Sequence, residues 1–132
     1  MEEGNRMLRV LYIEDDPSYH RHLTIAVKKA GIELMLDFAS DCTEGLAKAT
    51  STNYDFIFVD IDVSPGQHLP GIQQFSNGQR LAEFLKFNTR ARIIAATGYS
   101  LTDQDMSGCF DDVLYRPFLR RLNTLKRILN MG

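Results

Sequence analysis

The sequence predicts one α/β domain: a doubly wound sheet of five parallel strands in the order 2-1-3-4-5, with helices on both faces. Three observations lead there. Strand-like and helix-like periods alternate along the chain, the pattern of repeated βα units. The run Phe56-Ile57-Phe58-Val59 is apolar at every position, as in a strand covered on both faces and therefore central. Two apolar runs, Val10 to Ile13 and Phe56 to Val59, end abruptly in carboxylates, Glu14-Asp15-Asp16 after the first and Asp60-Ile61-Asp62 after the second. In an open parallel sheet, ligands bind in the crevice beyond the carboxyl ends of the strands.

Each element has a local reason. Leu8 to Ile13 reads as the first strand, and Pro17 then opens a helix with Asp16 as its N-cap. Leu23, Ala26, Val27 and Ala30 repeat at helical spacing until Gly31 stops the helix. Glu33 to Ala39 is a second strand of weaker alternation. Ser40 or Asp41 caps a second helix whose expected inner stripe is Thr43, Leu46, Ala47 and Thr50. Tyr54 to Asp60 is the third strand. Gly78 to Asn88 is a helix with Leu81, Phe84 and Leu85 inward, and Arg80, Glu83 and Lys86 outward. Arg92 to Thr97 is the fourth strand and Val113 to Tyr115 a short fifth. The stretch from Ser100 to Cys109 has room for one or two helical turns, with Thr102 as a cap. Phe118 to Met131 closes the chain as a helix with Leu122, Leu125 and Leu129 on one face. This alternation fits the flavodoxin-like strand order, in which strands 1 and 3 flank the switch point.

Composition narrows the function. The 132 residues suit one domain, residues 1–132, without a linker or repeat. A net charge of −2 argues against direct nucleic-acid binding, which calls for a basic face. No apolar run reaches membrane-span length and the start, MEEGNRM, is not signal-like, so a cytoplasmic protein with no membrane contact is expected. Cys42 and Cys109 read as reduced packing residues, and His20, His22 and His68 show no zinc-ligand pattern.

The chemistry lies in the acids. Adjacent strands 1 and 3 would gather Glu14, Asp15 and Asp60 in one pocket, where two carboxylates about 5 Å apart repel by roughly 3 kcal/mol at an effective dielectric near 20. Such a cluster calls for a proton or a hard cation, and Mg²⁺ is usually held by carboxylates, water and a phosphoryl oxygen. Thr97 ends strand 4, where its hydroxyl can donate to a phosphoryl oxygen. Arg116 follows strand 5, where its cation can neutralise the same oxygens. A carboxylate nucleophile, a metal, a hydroxyl and a cation are what acyl-phosphate formation needs.

VLYIEDDP, FIFVDID, NGQRLAEFLK, IIAATGYS and YRPF occur in this order and span nearly the whole chain. In this the chain resembles the CheY-like receiver domains of two-component response regulators. The resemblance implies that Asp60 is the phosphoacceptor. It implies that Glu14, Asp15 and Asp60 bind Mg²⁺ with the backbone carbonyl of Asp62, and that Thr97 is the switch hydroxyl. It further implies a phosphohistidine donor on a histidine kinase or histidine phosphotransfer protein, and a downstream protein target. A receiver is a switch that assists its own phosphorylation and dephosphorylation rather than a conventional enzyme, and some receivers form homodimers.

The departures from the family pattern are specific. Arg116 stands where the family places lysine, and arginine's planar fork is bulkier. Val113 stands where a rotating Tyr or Phe is usual, with Tyr115 and Phe110 nearby. The segment SPGQHLPGIQQFSN delays Gly78, the glycine that opens helix 3, by about ten residues, and loops beyond about 12–15 residues are usually functional or disordered. It is expected to form a lid or docking surface anchored by Phe75 or Leu69. Asp111 and Asp112 read as solvated turn acids.

Two rival readings remain. A phosphatase of the haloacid-dehalogenase type would use Asp60 as nucleophile and Asp62 as general acid, but Val63-Ser64 stands where that family has Gly-Thr. A pseudo-receiver would use the fold as a binding module without phosphorylation; Arg116 and Val113 favour it, whereas Glu14, Asp15, Asp60 and Thr97 oppose it.

Overall fold

The computed structural model describes residues 7–98, 101 and 108–130. Five parallel strands form one sheet in the order β2-β1-β3-β4-β5: β1 (Leu8–Ile13), β2 (Leu34–Ala39), β3 (Phe56–Val59), β4 (Arg92–Thr97) and β5 (Asp112–Tyr115). Among the described residues, four helices cover it: α1 (Pro17–Lys29), α2 (Cys42–Ser51), α3 (Gly78–Asn88) and α4 (Leu122–Leu129). The short helix expected between Ser100 and Cys109 falls largely outside the described residues.

The sheet is buried on both faces because side chains alternate along each strand. Leu11, Ile13, Ile57, Val59, Ile93 and Ala95 point into one core layer with α2 and α3. Val10, Tyr12, Phe56, Phe58, Ile94 and Ala96 point into the other with α1 and α4. All four residues of β3 are buried, the central position its uniform apolarity predicts. Burying each such side chain is worth about 1.5–3 kcal/mol.

The caps lie where short polar side chains can reach free amides. Asp16 accepts from Ser18 N at 2.9 Å, with Pro17 behind it at the first helical position. Asp41 accepts from Glu44 N at 2.7 Å, and Asn77 caps α3 through Arg80 N at 2.9 Å.

Three local expectations are corrected. The inner face of α2 is Cys42, Gly45 and Ala49, with Leu46 partly buried, while Ala47 and Thr50 are exposed. The face turns by one residue, about 100°, because Gly45 lets the helix press onto β1; a Cβ there would lie 2.7 Å from Ile13 Cδ1. Thr43 instead turns its hydroxyl to the carbonyls of Pro65 and Gln67, at 3.2 and 2.9 Å. The closing helix is broken: Phe118–Arg120 is a 3₁₀ turn, pinned by the buried Phe118 ring, and α4 starts at Leu122. Asp111 and Asp112 are anchors rather than solvated acids. Asp111 pairs with Lys86 and accepts from Ile93 N at 2.8 Å, and Asp112 pairs with Arg127 at 2.6 Å.

Candidate functional site

The ladder that builds the sheet also builds the site. One residue past β1, Glu14 N donates to Ala39 O at 2.9 Å; one residue past β3, Asp60 N donates to Ile13 O at 3.0 Å. Both acids are thereby carried to the same edge of the sheet, on neighbouring strands. Carboxylate oxygens of Glu14, Asp15 and Asp60 lie within 4.8 Å of one another. Glu14 is almost fully buried, Asp60 half-buried and Asp15 exposed, so the cluster opens to solvent on one side. Three hard oxygen donors with an open side suit a small divalent cation such as Mg²⁺.

Asp62 sits on the exposed turn beyond β3, and its amide faces Asp60 Oδ1 at 3.4 Å; its carboxylate is not part of the cluster. His20 is built into the scaffold: its ring stacks on Phe38 at 4.4 Å and its Nε2 meets Glu14 O at 2.7 Å.

Arg116 enters the pocket from the end of β5, its backbone N–H donating to Thr97 O at 2.9 Å. Its Nη2 lies 2.6 Å from Glu14 Oε1 and 3.2 Å from Asp60 Oδ1, so one nitrogen bridges two of the three carboxylates. The guanidinium carbon lies 3.8 Å from the centre of the Tyr19 ring, in cation–π contact. The Arg116–Pro117 peptide is cis. Thr97 is buried at the end of β4 beside Arg116.

The register explains the aromatic departure. Val113 pairs with Ala95, whereas Tyr115 pairs with Thr97. The aromatic ring thus lies one pleat further along, next to the threonine, with Leu101 N facing its hydroxyl at 3.5 Å. Phe110 is buried in the core layer beneath.

Burial dominates the electrostatics. It pushes the Glu14 carboxyl up to about 7; the hydrogen bond with Asp15 and the charge of Asp60 add to the rise, while Asp16 N and Arg116 oppose it. Burial also raises Asp60 above the ordinary carboxylate range, against the pull of Arg116. The Tyr12 hydroxyl, 3.4 Å from Glu14 Oε1, is pushed far up by burial and stays protonated.

Behind the acids, the backbone is locked by Gly78. Its N–H donates to Ile61 O at 2.9 Å, and a Cβ on it would lie 1.9 Å from the Asp60 carbonyl oxygen. The long connection thus brings the glycine delayed in sequence onto the carbonyl of Asp60. That connection is anchored by Phe75, which is buried against Phe84 with ring centres 5.3 Å apart. Leu69, the other expected anchor, is exposed.

Sequence reasoning brought Glu14, Asp15, Asp60, Thr97 and Arg116 to this end of the sheet, and missed Tyr12 and Tyr19. A hydroxyl inside the otherwise aliphatic run Val10 to Ile13, two residues before Glu14, was a signal for Tyr12. Tyr19 gave none, because its partner Arg116 is distant in sequence.

This arrangement of sheet and crevice is the CheY-like receiver fold. The response regulator TrrA from Thermotoga maritima, solved with Mg²⁺ and BeF, is 26% identical with a TM-score of 0.71, over 95% of this chain and 98% of that one. A two-component response regulator from Clostridium difficile is 25% identical with a TM-score of 0.71, over 94% and 97%. The receiver domain of a sensor histidine kinase from Pseudomonas aeruginosa, with a magnesium ion in its active-site cleft, is 21% identical with a TM-score of 0.69, over 96% and 97%. No protein-family model and no curated protein matches the sequence.

Proposed function

We propose that the chain is a phosphoacceptor receiver domain of a two-component system, carrying its signal on Asp60. The observation that supports this most is the convergence of Glu14, Asp15 and Asp60 within 4.8 Å, with the Arg116 cation against two of them. In this reading an Asp60 carboxylate oxygen attacks the phosphorus of a phosphohistidine on a histidine kinase or histidine phosphotransfer protein. The new bond is O–P, the P–N bond breaks, and its electron pair returns to the imidazole.

Glu14, Asp15, Asp60 and the Asp62 backbone carbonyl would hold Mg²⁺. When bound, the ion supplies positive charge that offsets the charge developing on the phosphoryl oxygens. Arg116 provides a second cation for those oxygens, in place of the family's lysine. The Thr97 hydroxyl donates to one of them and couples the acyl phosphate to the β4–β5 edge, where protein contacts would change. Such a protein is a switch rather than a turnover enzyme. No helix among the described residues is long and apolar enough to cross a membrane.

A second reading has one observation in its favour. Arg116 already pairs with Glu14 and Asp60, as would suit a pseudo-receiver that binds partners without being phosphorylated. Intact mass after incubation with Mg²⁺ and acetyl phosphate separates the two. The phosphoacceptor reading expects one phosphoryl group on the wild type and none on Asp60→Asn. Absence of the adduct, with a phosphohistidine donor as well, favours the pseudo-receiver.

A further inference from the structure

Arginine differs from lysine in having a flat face, and Arg116 uses it. One end nitrogen sits between Glu14 Oε1 at 2.6 Å and Asp60 Oδ1 at 3.2 Å, while the face lies on Tyr19 at 3.8 Å. Its Nε is buried and has no hydrogen-bond partner among the described residues. The side chain is thus aimed by its tip and its face, with nothing holding it midway. Two of the three carboxylates that could ligate a cation already contact this one nitrogen.

We infer that Arg116 and a divalent cation compete for Glu14 and Asp60, and that Tyr19 is the positioning residue that sets the balance. This rests on the metal-binding reading proposed above. A cation ligated by those oxygens would face the guanidinium across a few ångströms, and like charges at that distance repel strongly. Metal entry therefore moves Arg116 off Glu14, and the released fork becomes available to oxygens of a phosphoryl group on Asp60. By linkage, whatever strengthens the hold on Arg116 weakens metal binding by the same factor. Tyr19 provides such a hold without touching the carboxylates' charge. The device makes Mg²⁺ affinity a property of the α1 surface that carries Tyr19 as well as of the acids.

Calorimetric titration of the full chain with MgCl₂ tests this, on wild type, Tyr19→Leu, Arg116→Lys and Arg116→Gln. Tyr19→Leu keeps every charge and removes the aromatic face together with its hydroxyl. It is expected to tighten Mg²⁺ binding about threefold to thirtyfold, the range of a cation–π contact. Arg116→Lys also keeps the charge but loses the flat stack, and is expected to tighten binding as well; Arg116→Gln tightens it most. If Tyr19→Leu and Arg116→Lys bind Mg²⁺ no more tightly than wild type while Arg116→Gln does, charge alone acts and the competition is overturned. If none of the four proteins binds Mg²⁺, Arg116→Gln included, the metal reading beneath it has failed instead.

Discussion

Two connections deliver carboxylates to the same pocket by opposite means. From β1 to α1 the chain spends residues 14–16 and turns at once into a helix capped by Asp16. From β3 to α3 it spends residues 60–77 and wanders across the surface first. Glu14 and Asp60 nevertheless sit in register, because each is hydrogen-bonded to a neighbouring strand at the first residue of its connection. The short corner needs only its cap. The long one is held along its length, by Cys42 N–H on the Ser64 carbonyl, Thr43 on the carbonyls of Pro65 and Gln67, Phe75 against Phe84, and Gly78 on the Asp60 peptide. The position of the site is thus separated from the length of the loop, whose closure entropy grows only slowly with length.

The comparison breaks most visibly at Phe75. Phe75→Ala is expected to cost about 3 kcal/mol, the low end for a buried phenylalanine, because the site lies in a loop that can relax. Urea denaturation measures it, and a loss under about 1 kcal/mol would mean the ring anchors nothing. Gly78→Ala is expected next, at about 2 kcal/mol, since its Cβ must push the Asp60 carbonyl aside. It should also slow phosphorylation of Asp60 by acetyl phosphate, which Phe75→Ala at low denaturant should affect less; equal rates in wild type and Gly78→Ala would refute the lock.

On the short side, Asp16→Ala removes the α1 cap and should cost about 1 kcal/mol, again by denaturation. Leu69→Ala, on the exposed part of the long connection, should stay within about 0.5 kcal/mol of wild type. A larger effect would show that Leu69 shares the anchoring with Phe75.

Much of the fold was legible because local rules and tertiary packing agree. The bounds Gly78–Asn88 and Arg92–Thr97 are the same in sequence and structure, since Asn77 caps the helix and the strand is an apolar run between two polar ends. The α2 face was misread for a physical reason. Its contact is made by a glycine, which adds nothing to an apolar pattern yet allows the closest approach to Ile13. Asp111 and Asp112 were misread as solvated because their partners, Lys86 and Arg127, lie on other elements.

The alternation of strands and helices, hence a parallel sheet buried on both faces, and the arrival of acids at the ends of β1 and β3 are written locally in the chain. Those follow from side-chain period and from caps, which act over a few residues. Tertiary structure alone decided that Phe75 rather than Leu69 anchors the long connection, and that Gly78 closes on Asp60. It also decided that Arg116 lies between Glu14 and Asp60 on the face of Tyr19. These contacts join residues far apart along the chain, and no local pattern encodes a distance that only the packed sheet creates.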